Sequence, residues 1–226
     1  MLEKWKKMTS VFCQIEQVCN TLLRFLQRYR QSVIMTTPDP AVVILSYMTD
    51  VADMLPFNRE YETAEAAFLK ALGSPKACVS AIFKIRNAAM KTAFDARCAD
   101  IAAKRGTAPT VITAYHGTSL AAASSIARDG FNPAYNTTAA YGRGTYASAK
   151  PATALQYCKD VKTTDNFSMV FMCDFAKGKF GSPGGGKAFT AACDYSGTGD
   201  RDDILVTPYA DGILPQYLIC FYKWAA

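Results

Sequence analysis

Residues 111–118 read Val-Ile-Thr-Ala-Tyr-His-Gly-Thr, and this stretch decides how the second half of the chain folds. The β-branched and aromatic run over residues 111–115 predicts a short strand. Residues 119–128 then predict a helix that ends at Gly130. His116 is the only histidine of the chain, and it stands where the strand ends and a glycine follows. The stretch therefore predicts a strand–helix unit with a candidate functional residue at the turn.

The rest of the second half has the same mixed character. Apolar runs predict strands over residues 144–148, 167–175, 204–206 and 216–223. Residues 151–159 predict a short helix with a proline in its first turn. Strands outnumber helices, so residues 108–226 are expected to form one α+β domain.

The first half of the chain predicts helices. Apolar residues recur three and four positions apart along residues 5–29, which places them on one helical face. Segments 41–55 and 59–72 are flanked by prolines, and the alanine-rich segment 76–104 ends at Gly106. Residues 1–107 are therefore predicted to form a small all-α domain. The broad apolar face favours packing onto a globular body over dimerisation, so a monomer is expected.

Composition limits the function classes. Half of the 226 residues are hydrophobic and 19% are charged, which excludes a disordered chain. The net charge of +6 is mildly basic and permits an anionic partner such as a dinucleotide or a nucleic acid. Eight cysteines without a Cys-x-x-Cys pair, and a single histidine, cannot build a zinc finger. No signal peptide opens the chain and no apolar run reaches the ~20 residues of a membrane span. An intracellular location, cytoplasmic or nuclear, is expected.

Three segments are candidates for a binding site. At the end of the first strand, Gly117 lets a ligand approach the backbone, whose N–H and C=O could hold a carboxamide. A lone histidine is more often structural, although this context favours a function for His116. Tyr146 and Tyr157 bracket a turn and a short helix, and could either enclose a flat heterocycle or line the core. Residues 181–187 have the spacing of a phosphate-binding P-loop, but Pro183 and Ala188 in place of the hydroxyl residue favour a flexible loop.

In order along the chain, these segments resemble the catalytic domain of poly(ADP-ribose) polymerases. The resemblance rests on His116-Gly117-Thr118, Gly142-x-Gly144-Thr-Tyr146-Ala147-Ser, Tyr157 and Leu214-Pro-Gln-Tyr217-Leu-Ile. It implies a split β-sheet ADP-ribosyltransferase fold, NAD⁺ as co-substrate and no metal.

The resemblance also implies roles for individual residues. His116 would bind the 2′-hydroxyl of the nicotinamide ribose and position that sugar with Tyr146. Gly117 would hold the carboxamide through its backbone, and Tyr157 would stack on the nicotinamide ring. Thr118 and Ala147, which belong to the same motifs, are counted with the NAD⁺-binding residues.

The chain departs from the family pattern at three places. Ile204 stands thirteen positions before Tyr217, where the family has a glutamate. Asp203 is adjacent, but alternation along a strand would point it to the opposite face. Ala154 replaces a serine that bonds the carboxamide, which should weaken nicotinamide binding by about 1 kcal/mol. Finally, the segment between residues 131 and 141, which would close over NAD⁺, is short.

The expected activity is therefore mono-ADP-ribosylation, the activity seen in family members with a His-Tyr-Ile triad such as His116, Tyr146 and Ile204. One ADP-ribose would pass from NAD⁺ to a protein acceptor, or to a nucleic acid, with release of nicotinamide. An inactive NAD⁺- or ADP-ribose-binding module is the main alternative. A tRNA 2′-phosphotransferase is disfavoured, because its phosphate site would need further histidines and arginines.

Overall fold

The structure, a computed structural model, describes residues 42–45, 55–73, 77–136, 140–158, 167–183, 187–190 and 192–223. All of these residues belong to one compact unit, residues 41–226. Its strands are β1 (Val42–Leu45), β2 (Ala77–Ile85), β3 (Thr110–Gly117), β4 (Thr145–Ala147), β5 (Phe167–Lys177), β6 (Ser196–Gly197), β7 (Leu205–Thr207) and β8 (Ile213–Lys223). Its helices are α1 (Leu55–Leu72), α2 (Ala88–Arg105), α3 (Leu120–Asp129) and α4 (Pro151–Ala154), with 3₁₀ turns at Pro133–Tyr135, Leu155–Tyr157 and Gly199–Arg201.

The strands form two antiparallel sheets. The larger sheet has the order β1-β2-β8-β5-β3, and the smaller one has the order β4-β7-β6. An isolated bridge between Tyr115 and Ser148 joins them, with N···O distances of 2.7 and 2.9 Å. The α+β class is confirmed, and the two sheets agree with the split-sheet architecture that the sequence implied.

Helix α1 covers one face of the larger sheet. Its buried residues Phe68 and Leu72 pack with Ile82 of β2, Tyr115 of β3 and Phe221 of β8. The rings of Phe68 and Phe221 meet edge-on at 4.9 Å. Helix α2 contributes a second cluster in which Phe94 and Ile101 contact Ala176 and Leu214. These contacts anchor β3, which carries His116 and Gly117, and its neighbour β5.

The predictions for the second half are largely confirmed. Strand β3 includes the predicted run and extends to Gly117. Helix α3 begins after Ser119, whose Oγ accepts a hydrogen bond from the Ala122 N–H, and ends at Gly130 with φ of 82°. Such caps are local signals, so the sequence alone could place this helix.

The prediction of an all-helical first half is wrong within the described residues. Strands β1 and β2 lie where helices were expected, and only the later part of segment 76–104 is helical. In β2, the β-branched and aromatic residues Val79, Ile82, Phe83 and Ile85 are buried between β1 and β8. Their burial in the sheet outweighs the helix preference of the neighbouring alanines.

The predicted boundary at residue 107 needs the same correction. Strand β2 lies upstream of it and pairs with β8 from Ala77↔Lys223 to Lys84↔Tyr217. Both sides of residue 107 thus share one sheet and one compact unit. The apolar helical face predicted over residues 5–29 lies outside the described residues. Among the helices that are described, none is long and apolar enough to cross a membrane.

Candidate functional site

His116 lies near the end of β3, held by two contacts. Its Nδ1 is 2.7 Å from the backbone carbonyl oxygen of Tyr146. The Phe131 ring meets the imidazole edge-on, with ring centroids 4.9 Å apart. A carbonyl oxygen can only accept, so Nδ1 carries the proton and donates it. In the neutral imidazole, Nε2 therefore keeps its lone pair for a ligand hydroxyl.

Burial lowers the pKa of His116, while the bond to the Tyr146 carbonyl acts in the opposite direction. The lowered pKa favours the neutral ring at physiological pH. His116 is thus prepared to accept a hydrogen bond at Nε2 rather than to act as a cation.

The backbone N–H and C=O of Gly117 point away from the edge of the larger sheet. Tyr115 exchanges both of its backbone hydrogen bonds with Ser148, so those groups point away from β5. Because the direction alternates along an antiparallel strand, the N–H and C=O of Gly117 also point away from its β5 partner, Val170. They take no part in the β3–β5 ladder, and paired donor and acceptor groups of this kind suit a primary carboxamide.

Gly117 also lies directly against the short helix α4. A Cβ atom on Gly117 would stand 1.8 Å from the carbonyl oxygen of Ala154 and 2.8 Å from its carbonyl carbon. Both contacts are to backbone, which a side-chain rotation cannot relieve. The glycine is therefore required by packing against α4, in addition to any approach of a ligand.

Tyr146 lies in β4, and its hydroxyl closes the preceding turn. It donates to the carbonyl of Gly142 at 2.9 Å and accepts from the N–H of Tyr141 at 3.0 Å. Burial raises the pKa of Tyr146, the Tyr141 N–H opposes this rise, and the nearby phenol of Tyr157 adds to it. The effect of Tyr157 on this pKa indicates that the two phenol groups lie near each other.

Tyr157 ends the 3₁₀ turn that follows α4, and 50% of it is exposed. An exposed aromatic ring is available for stacking on a flat ligand. By contrast, Thr118 and Ala147 are buried. Their side chains offer little surface to a ligand, so any contact they make with NAD⁺ would be limited.

Ile204 lies one residue before β7, the strand that pairs with β4 through Tyr146↔Val206. Its N–H donates to Thr198 Oγ1 at 3.0 Å, and its carbonyl accepts from the Thr198 N–H. The neighbouring carboxylate of Asp203 lies 2.5 Å from Lys150 Nζ. The Lys150 ammonium lowers the pKa of Asp203 and engages its carboxylate in an ion pair.

Two further residues support the site and were not identified from the sequence. Phe131 fixes the imidazole plane of His116, and the thiol of Cys158 contacts the backbone beside Gly117. Neither belongs to a sequence motif, since their importance follows from contacts between distant segments.

The described part of the chain contains no group of three or more His, Cys, Asp or Glu side chains placed to hold a metal ion. The segment with P-loop-like spacing is irregular where it is described, at residues 181–183 and at Lys187.

Comparison with known protein families gives a match. The model of the poly(ADP-ribose) polymerase catalytic domain matches residues 58–182, just over half of the chain. The match begins in α1 and crosses residue 107, in agreement with the single compact unit. A comparison with curated proteins finds no match.

Proposed function

The chain belongs to the poly(ADP-ribose) polymerase catalytic-domain family, whose chemistry is ADP-ribosyl transfer from NAD⁺, and we propose that it is a mono-ADP-ribosyltransferase. It moves one ADP-ribose from NAD⁺ to a protein acceptor, or to a nucleic acid, and releases nicotinamide. The observation that carries the proposal is the His116 imidazole, whose Nδ1 is bonded to the Tyr146 carbonyl and whose Nε2 is left to accept, next to the outward-facing backbone of Gly117.

Each of these groups has a role that suits the nicotinamide end of NAD⁺. Nε2 of His116 accepts a hydrogen bond from the 2′-hydroxyl of the nicotinamide ribose, since Nδ1 is occupied by the Tyr146 carbonyl. The backbone of Gly117 pairs with the carboxamide. The exposed ring of Tyr157 stacks on the pyridinium, an arrangement strengthened by the positive charge of that ring.

The reaction is a substitution at the ribose C1′. The bond from C1′ to the pyridinium nitrogen breaks, and its electron pair leaves with nicotinamide as a neutral molecule. A bond forms between C1′ and the acceptor atom, whose proton passes to solvent. The sugar carries oxocarbenium character at the transition state, as in glycoside hydrolysis. Because nicotinamide is a good leaving group, the protein acts chiefly by orienting the dinucleotide.

The proposal of a single transfer rests on residue 204. A carboxylate at this position would activate the ribose hydroxyl that extends a polymer. Isoleucine cannot do so, and Asp203 is paired with Lys150. The acceptor side chain itself must then supply any base that the transfer needs.

The chemistry of the cysteines supports an intracellular location. Cys98, Cys158, Cys173, Cys193 and Cys220, the cysteines within the described residues, are all free. Free thiols are the usual state in a reducing compartment, the cytoplasm or the nucleus.

Incubation with NAD⁺ labelled in the adenylate part tests the proposal. We expect the labelled protein to migrate as one discrete band and nicotinamide to be released. A ladder of heavy products would contradict the single transfer. A cyclic phosphate released from 2′-phosphorylated RNA would instead assign a tRNA 2′-phosphotransferase.

An inactive NAD⁺- or ADP-ribose-binding module is the second candidate, favoured by Ile204 and by Ala154. Ala154 is buried in the core cluster with Tyr115 and Val170, and it offers no hydroxyl to the carboxamide. Saturable binding of NAD⁺ without release of nicotinamide would establish this candidate and overturn the transferase.

A further inference from the structure

Cys158 follows directly after Tyr157, and its thiol is bonded to backbone on both sides. Sγ accepts a hydrogen bond from the Thr118 N–H. The S–H donates to the carbonyl of Met169 in β5 at 2.9 Å. A single side chain thus connects the turn after α4 to the ends of two adjacent strands.

These bonds lie between the two groups proposed to hold nicotinamide. A Cβ atom on Gly117 would be 3.1 Å from Sγ of Cys158, so the thiol lies beside that residue. On the other side, the backbone N–H of Cys158 donates to Leu155 at 3.2 Å and closes the 3₁₀ turn that ends at Tyr157. Cys158 therefore links the Gly117 end of β3 to the turn that carries Tyr157.

We propose that Cys158 is a positioning residue of the nicotinamide pocket, whose thiol sets the separation between the Tyr157 ring and the carboxamide-binding backbone of Gly117. Alanine in its place would leave the Thr118 N–H and the Met169 carbonyl without this partner. The 3₁₀ turn would then be free to shift relative to β3. Serine keeps one donor and two acceptor lone pairs, so it preserves both bonds with a slightly shorter side chain.

The inference rests on the proposed function for the identity of the ligand, but its test does not require transfer. Nicotinamide itself is the probe, and its Kd is measured by titration calorimetry for the wild type, Cys158→Ala and Cys158→Ser. Cys173→Ala is the matched control, because Cys173 is a buried thiol in β5 whose strand partners, Ala114 and Pro215, are not among the proposed pocket residues. The Tm of each protein and, where transfer occurs, KM for NAD⁺ and kcat are measured in parallel.

We expect Cys158→Ala to weaken nicotinamide binding by about five- to tenfold, the worth of one or two hydrogen bonds. KM for NAD⁺ should rise by the same factor while kcat changes less. Cys158→Ser should restore the affinity to within about threefold of the wild type, since both bonds can re-form. Cys173→Ala should lower the Tm and leave the Kd unchanged.

Unchanged nicotinamide affinity in Cys158→Ala would overturn the inference, as would an equal loss in Cys173→Ala. If neither Cys158 variant folds, the thiol is required for folding itself, and the inference is also overturned. If the wild type binds nicotinamide without transferring ADP-ribose, only the transferase proposal fails. If the wild type does not bind nicotinamide, both fail.

Discussion

Replacement of Gly117 by alanine should damage the nicotinamide pocket through the protein backbone. The added Cβ would start 1.8 Å from the carbonyl oxygen of Ala154, whereas Cβ contacts below 3.0 Å are essentially never seen. Residues 117 and 154 must therefore move apart by more than 1 Å. Overpacking of this kind typically costs about 1–3 kcal/mol of folding stability.

The same displacement moves α4 and the turn that carries Tyr157. A misplacement of ~1 Å in a site that works by orientation can reduce turnover about 100-fold. We therefore expect Gly117→Ala to lower kcat/KM for NAD⁺ far more than its loss of stability explains. Urea unfolding gives the stability, and release of nicotinamide from NAD⁺ gives the turnover.

Gly106→Ala provides the control for this experiment. Gly106 ends α2 with φ of +75° and has no atom within 4 Å of its added Cβ. Its substitution should cost about 1 kcal/mol through backbone strain without changing KM. The double variant Gly117→Ala/Ala154→Gly should not recover, because the clash is with a carbonyl oxygen that glycine retains. Wild-type Tm and kcat/KM in Gly117→Ala would refute the packing of Gly117 against α4.

Three other perturbations give distinct results. Burial lowers the pKa of His116 below its ordinary 6.5. We therefore expect kcat/KM to stay level as the pH falls to 6.5 and to decline only below that pH. A decline of kcat/KM with its midpoint above pH 6.5 would contradict this. Folding stability should also fall below pH 6.5, since the unfolded chain binds the proton more tightly. Ala154→Ser should tighten nicotinamide binding about fivefold by adding one hydrogen bond, and an unchanged Kd in calorimetry would exclude a role for this position. Asp194→Asn should destabilise the protein in urea unfolding, because the buried Asp194 carboxylate pairs with the partly exposed Arg105. The same change at exposed Asp129 should stay within about 0.5 kcal/mol; equal losses would contradict a structural role for the Asp194–Arg105 pair.

Local signals made much of the second half predictable. The Ser119 cap and Gly130 define α3 within a few residues of sequence, and the β-branched run before His116 defines β3. Strand β2 was missed because alanines surround it and its stability comes from pairing with β8 far along the chain. The hydrophobic pattern of a short segment does not show a partner strand that is so distant in the sequence.

The candidate site could likewise be predicted from the sequence only in part. The sequence order of His116, Tyr146 and Tyr157 suggested a pocket, but it could not show that His116 is oriented by the Tyr146 carbonyl. Nor could it reveal that Gly117 is constrained by the backbone of α4, or that Cys158 bridges two strands. These contacts join residues at least 11 positions apart, so they exist only once the chain has folded.

The most direct test of ADP-ribosyl transfer is made at His116. Wild-type protein and His116→Ala are incubated with labelled NAD⁺, and the label on protein is measured together with released nicotinamide. Since Nε2 of His116 is proposed to hold the nicotinamide ribose, the variant should lose transfer while keeping a folded core, as checked by its Tm. Transfer by His116→Ala at the wild-type rate would contradict the assignment of the active site.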